Sequence, residues 1–126
     1  MNAELKKRAI EVITEHILTP VLYFLEDDYQ NEFVCFCDTN MDFDVVAETE
    51  MILCELLQKN TVVIDIREYC EADRMEIINE AELIYSANPM LERIFELSMA
   101  EDFKRAAMQK AELVRRYDNS GSVYLQ

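Results

Sequence analysis

The cysteines are the first residues of this sequence whose type and spacing could support chemistry, as metal ligands or as a redox pair. Cys35 and Cys37 are two residues apart and would face the same side of a strand, whereas Cys54 and Cys70 lie further along the chain. Zinc ribbons usually use Cys-x-x-Cys knuckles, a spacing that this sequence lacks. We therefore predict reduced, buried thiols at all four positions rather than a metal or redox centre.

Histidine and glycine each occur once, as His16 and Gly121. A single histidine excludes His-Glu-x-x-His zinc sites, and any nucleophile that needs histidine as its base would depend on His16. We expect His16 to be a surface residue at a helix end. Phosphate-binding loops need several glycines to bring backbone amides close to oxygen atoms, so dinucleotide-binding and P-loop enzymes are excluded.

The charge balance restricts the classes of partner. Among 126 residues there are 26 acidic and 12 basic side chains, which gives a formal charge of −14. Such a charge repels phosphate backbones and anionic lipids, so we expect neither a nucleic acid nor a membrane as partner. The chain begins with polar residues and no signal-like apolar stretch, which predicts a cytoplasmic protein.

The first half of the sequence alternates helical and strand patterns. Apolar residues at helical spacing predict a helix from Ala3 to Leu18. Two strands, Val21 to Glu26 and Glu32 to Cys37, flank a polar turn and predict an antiparallel hairpin. A second helix is predicted from Met41 to Lys59, with Thr39 or Asp42 as its N-cap.

The second half adds a strand, Val62 to Ile66, whose apolar β-branched residues predict a central position in the sheet. A short helix over Asp73 to Asn79 and a strand in ELIYS follow. Asn88 and Pro89 then begin a long helix whose apolar stripe is too extended for a small sheet to cover, which predicts a homo-oligomer or a hetero-oligomer. The fold class is α+β, a mixed sheet of about four strands packed with helices. Residues 1–126 form one domain, with a core over 1–87 and a C-terminal helix and tail over 88–126.

This order of elements and several local strings resemble the minimal nucleotidyltransferase family, small bacterial and archaeal proteins often encoded beside a HEPN partner as a toxin and antitoxin pair. The likeness covers about residues 4 to 86, in PVLYFLED, LLQKN, VVIDIRE and MEIINEAELIYS. It implies a nucleotidyltransferase-like fold and a HEPN-type protein partner.

The sequence departs from this family at the phosphate-binding motif. The first strand of the family ends in Gly-Ser, which holds the nucleotide phosphates, and the matching place here is Leu25 and Glu26. The added negative charge would repel a triphosphate. We therefore predict no nucleotide-binding residues.

The family also carries an Asp-x-Asp pair for magnesium. Strand spacing puts this pair near Cys35 and Cys37, which are poor magnesium ligands. The string MDFDVV resembles the family motif if the preceding loop is a few residues longer. In an active enzyme Asp42, Asp44 and Asp65 would then hold Mg²⁺, and Asp65 would also be the catalytic residue that activates the acceptor hydroxyl.

The sequence is consistent with two alternative secondary structures for residues 41–46. In a strand, Asp42 and Asp44 share a face. In a helix, they lie at its positive N-terminus and point away from each other. Asp65 is then either a catalytic carboxylate or an outward-facing residue of an edge strand paired with Arg67.

The sequence favours a nucleotidyltransferase-like protein that is catalytically inactive and acts through a protein partner, as an antitoxin-like or oligomeric protein. The alternative is an active Mg²⁺-dependent nucleotidyltransferase that modifies a protein hydroxyl. A third hypothesis is a scaffold of unrelated ancestry with the same order of elements.

Overall fold

The computed structural model describes residues 1–37 and 40–120. Within them lie eight main elements: helices α1 Ala3–His16, α2 Phe43–Leu57, α3 Glu71–Glu80 and α4 Pro89–Ser120, and strands β1 Val21–Glu26, β2 Asn31–Cys35, β3 Thr61–Asp65 and β4 Glu82–Ser86. A single 3-10 turn, Ile66–Glu68, follows β3. The predicted order of elements and the α+β class are confirmed.

The four strands form one mixed sheet in the order β3-β2-β1-β4. Strand β1 pairs antiparallel with β2 and with β4, and β2 pairs parallel with β3. The predicted hairpin is therefore confirmed. The predicted central position of VVIDI is wrong, because β3 lies at the edge of the sheet. Both faces of this edge strand are at least partly covered, since Thr61, Val63 and Asp65 are buried and Val62 and Ile64 are half-buried.

Helices cover both faces of the sheet, which explains the bulky, non-alternating composition of β1. Helices α1 and α2 pack on one face, in a cluster of Ala9, Ile13, Leu22, Phe24, Phe33 and Leu53 with neighbouring residues. Helices α3 and α4 pack on the other face, in a cluster of Val21, Tyr23, Val34, Ile77, Phe95 and Met99 with neighbouring residues. Each face of β1 is thus buried by a different pair of helices.

At the β1–β2 turn and at the end of α2, residues other than glycine occupy positions where proteins often use glycine. The carboxylate of Asp27 accepts hydrogen bonds from the backbone N–H groups of Tyr29 and Gln30, at 2.7 and 2.8 Å, and so shapes the turn between β1 and β2. These bonds hold the pKa of Asp27 below its usual range. Gln58 ends α2 in the left-handed conformation, with φ of 55°. Helix α4 continues to Ser120, and Gly121 lies outside the described residues.

The N-cap of the last helix was predicted correctly. Asn88 accepts a hydrogen bond from the backbone N–H of Met90 at 2.9 Å, and Pro89 is the first residue of α4. His16 ends α1 and is exposed, as predicted. Within the described residues, no helix combines the length and apolar character needed to cross a bilayer.

The cysteines differ from the prediction in their burial. Cys35 and Cys37 are buried, Cys54 is half-buried, and Cys70 is exposed. Cys70 is exposed because it stands at the N-cap position of α3, outside the core that this short helix covers. A hydrogen bond with Cys37 and burial both raise the pKa of the Cys35 thiol, which keeps it protonated and unreactive.

Candidate functional site

Asp42 and Asp44 lie at the start of α2, so the helical alternative for residues 41–46 is the one found. The Asp42 carboxylate accepts from the backbone N–H groups of Asp44 and Val45, at 2.9 and 3.3 Å, and is the N-cap of the helix. Asp44 is exposed in the first turn, where the positive end of the helix favours a carboxylate. The other predicted N-cap, Thr39, lies outside the described residues.

Asp65, at the end of β3, makes a hydrogen bond and an ion pair within the fold. Its carboxylate is buried, accepts the backbone N–H of Arg67 at 2.9 Å, and pairs with the Arg67 guanidinium at 2.6 Å. The predicted edge strand and Arg67 partner are confirmed, but Asp65 points inward rather than outward. It begins the 3-10 turn and neutralises a charge next to the core.

The three aspartates predicted as metal ligands do not form a cluster. Across residues 1–37 and 40–120, no group of three or more histidine, cysteine, aspartate or glutamate side chains is arranged to hold a metal ion. Asp42 already uses its carboxylate for the helix cap, and Asp65 uses its own for Arg67. These residues therefore do not fit a two-metal magnesium site.

The sheet register separates Asp65 from Leu25 and Glu26, the residues that the sequence resemblance matches to the phosphate-binding motif. Leu25 pairs with Glu32, and Glu32 pairs with Val62, whereas Asp65 pairs with Cys35. Asp65 thus lies three residues further along β3, a distance of about 10 Å at the usual rise per residue of a strand. Cys35, like Asp65, lies at the opposite end of the sheet from Leu25 and Glu26.

An acidic groove lies beside Leu25, one of the two residues that the sequence resemblance matches to the Gly-Ser motif of the family. We use this name for an open groove of about 220 Å³ whose walls include Leu25, Glu32, Tyr69, Asp73, Glu76 and Glu80. No lysine or arginine among the described residues lines it. Burial, together with the charges of Glu32, Glu68 and Asp73, raises the pKa of Tyr69, which reports the negative field in this groove.

Glu26 lies on the other face of β1 from the acidic groove. Its carboxylate is 3.5 Å from the ammonium group of Lys59, which also donates to the backbone carbonyl of Asp27. Lys59 therefore stabilises the β1–β2 turn and offsets part of the charge of Glu26. It does not line the acidic groove.

Sequence reasoning missed Glu32 as the carboxylate beside Leu25. The signal was present in the hairpin, because the four residues of the turn between Glu26 and Asn31 determine which residues pair across it. Counting outward from Glu26 and Asn31 places Glu32 opposite Leu25. A nucleotide in this position would meet a leucine side chain and carboxylates in place of a glycine and a hydroxyl, so the residues present do not fit a triphosphate.

Helix α4 carries the second candidate surface, because it extends beyond the sheet that it covers. Its buried residues are Phe95 and Met99, and residues 107–111 and 113–118 are all exposed. At the rise of an α-helix, the segment 107–118 is about 18 Å long. The predicted excess of apolar surface is thus found.

One apolar face of α4 continues from the core onto this exposed segment. We call it the core-side stripe, and it consists of Phe95, Met99, Ala106, Leu113 and Tyr117, which are separated by four or seven residues and share one face of the helix. Phe95 and Met99 are buried, whereas Leu113 and Tyr117 are about half exposed, at 48% and 51%. The hydrogen bond of 3.0 Å from the Tyr23 hydroxyl to Glu96 holds the buried half of the helix on β1.

No protein-family model matches this sequence, and no curated protein matches it in sequence. Solved structures match its fold. A chain of a toxin–antitoxin MntA–HepT crystal structure has a TM-score of 0.76 at 9% identity, covering 91% of this chain and 97% of that chain. A chain of the complex between tri-AMPylated Shewanella oneidensis HEPN toxin and MNT antitoxin also has a TM-score of 0.76 at 9% identity, with coverages of 92% and 98%.

A third solved structure, described as the toxin–antitoxin with AMP-PNP, has a TM-score of 0.72 at 8% identity and covers 88% of this chain and 96% of that chain. Identities this low concern the fold alone. They agree with the resemblance noted from the sequence, since the matches cover about nine tenths of this chain, with its four helices, four-stranded mixed sheet and long last helix. The chain has the fold of the minimal nucleotidyltransferases.

Proposed function

We propose that this chain is a catalytically inactive protein of the minimal nucleotidyltransferase type, which acts in the cytoplasm by binding a HEPN-type protein in the manner of an antitoxin. The observation that carries the proposal is the acidic groove. Four carboxylates of β2 and α3 line this groove beside Leu25, where the sequence resemblance would put the phosphate-binding Gly-Ser.

The loss of transfer chemistry follows from charge. A Mg²⁺-bound triphosphate is still an anion, and it would approach Glu32, Asp73, Glu76 and Glu80 with no basic side chain of the described residues lining the groove. The carboxylates that could have bound metal, Asp42 and Asp65, are occupied by a helix cap and by Arg67.

Partner binding is supported by α4. The exposed half of the core-side stripe places Leu113 and Tyr117 on one face of a helix, where a partner could bury both without disturbing the fold. Two of the similar solved structures are complexes with HepT or a HEPN toxin. An acidic body next to this stripe also favours a partner with a basic surface, because opposite fields steer the encounter.

The proposal is tested with the HEPN-type protein that the family resemblance leads us to expect beside this gene. The purified proteins are mixed with Mg²⁺ and ATP labelled on the α-phosphate. We expect a stable complex in size-exclusion chromatography and no label on either protein. Calorimetric titration with Mg²⁺-ATP is expected to show no binding up to millimolar concentration.

Two results would contradict the proposal in different ways. Label on a tyrosine, serine or threonine of the partner would establish the active transferase instead. Absence of a complex at micromolar concentrations of both proteins would show that recognition of a HEPN-type protein is not the function.

A further inference from the structure

A second face of α4, with four apolar and two charged residues, lies opposite the core-side stripe. We call it the outer seam, and it consists of Met90, Ile94, Leu97, Glu101, Lys104 and Met108. The separations of four, three, four, three and four residues are those of a coiled-coil seam. All six side chains are exposed, and the four apolar ones have exposed fractions between 54% and 70%.

From this face we infer that a second copy of the chain binds here, with the two α4 helices antiparallel and the two-fold axis between residues 102 and 103. The inference goes beyond the proposed function and does not depend on it. In this register Leu97 meets Met108 of the second copy, which buries two exposed apolar side chains against each other.

The charged residues at the centre of the outer seam select the second copy as the occupant. In the antiparallel register, Glu101 faces Lys104 of the second copy, and the two-fold axis repeats the pair. A parallel arrangement would instead place each of these residues against its own equivalent, which puts like charges together. The seam is therefore self-complementary in one orientation alone.

The distribution of charge over the molecule favours the same contact. Helix α4 carries six acidic and six basic side chains and has no net formal charge, so residues 1–88 hold the entire formal charge of −14. Two copies that meet through their sheets or their other helices would bring strongly negative surfaces together. Contact through α4 reduces that repulsion without removing it, since the core-side stripe lies on the opposite face of the helix and holds each body away from the seam.

Charge reversal at the centre of the seam tests the inference by sedimentation velocity at micromolar concentrations. We expect the native chain to sediment as a dimer. Glu101→Lys places two ammonium groups together in both symmetry-related contacts, and it is expected to weaken the dimer roughly tenfold. The double variant Glu101→Lys with Lys104→Glu restores both pairs and should return the dissociation constant to within about threefold of the native value.

A matched control separates the contact from a change in net charge. Glu48→Lys makes the same change on an exposed position of α2 and is expected to leave the dimer intact. Circular dichroism of each variant verifies that α4 remains helical. A monomeric native chain, or a double variant that dimerises no better than Glu101→Lys, would overturn the inference.

Discussion

Truncation of Phe33 to alanine is expected to lower the free energy of unfolding by about 3–5 kcal/mol, which is the usual cost of removing a buried phenylalanine side chain. Phe33 is fully buried on β2, its ring centroid is 5.1 Å from that of Phe24, and it pairs with Val63 of the edge strand. The cavity would therefore lie between the central strands and the α1–α2 layer. Since small domains have about 5–15 kcal/mol of stability, this variant loses a large part of it.

Urea unfolding followed by circular dichroism measures the effect, and the midpoint should fall by roughly 2 M. Phe43→Ala is the matched control, because Phe43 is 82% exposed at the start of α2, and we expect a change within about 0.5 kcal/mol. If both variants unfolded at the native midpoint, the assignment of Phe33 to the core would be wrong.

Truncation of Tyr117 to alanine is expected to weaken binding of the HEPN-type partner about 30-fold, while leaving the unfolding midpoint unchanged. The side chain is half exposed near the end of α4, so its removal opens no cavity in the fold. Aromatic residues in the buried centre of an interface commonly contribute about 2 kcal/mol or more, which corresponds to that factor.

Calorimetric titration of the partner into each variant measures this loss. Gln109→Ala is the control, because Gln109 is exposed on the same segment but belongs neither to the core-side stripe nor to the outer seam. Equal affinities of the native chain and Tyr117→Ala would show that the partner binds a different surface, and the acidic groove would be the next to test.

The elements of this fold are predictable from sequence because their patterns are strong and local. The apolar run of VLYFLE, the Asp-rich turn after it and the Asn88–Pro89 boundary each determine a structure within a few residues. The position of VVIDI in the sheet was mispredicted, because burial on both faces produces the same composition in an edge strand covered by helices as in a central strand.

The candidate site was less predictable, since it depends on the pairing register of strands that lie far apart in the sequence. Asp65 and Leu25 are both close to β2, but the parallel pairing of β2 with β3 puts them at opposite ends of the sheet. The acidic groove also needs α3 beside β2, a tertiary contact that no local pattern encodes. In contrast, the helical start at Asp42 follows from capping chemistry and was one of the two structures foreseen.

The division of the molecule into a strongly negative body and a neutral last helix makes ionic strength an experimental variable with two opposite effects. At physiological salt the Debye length is about 8 Å, so charges on separate bodies are largely screened from each other. Self-association through α4 should then tighten as salt is added, because the bodies repel less. Binding of a basic partner should weaken over the same range, because its attraction to the body is screened, and a salt titration distinguishes the two kinds of assembly.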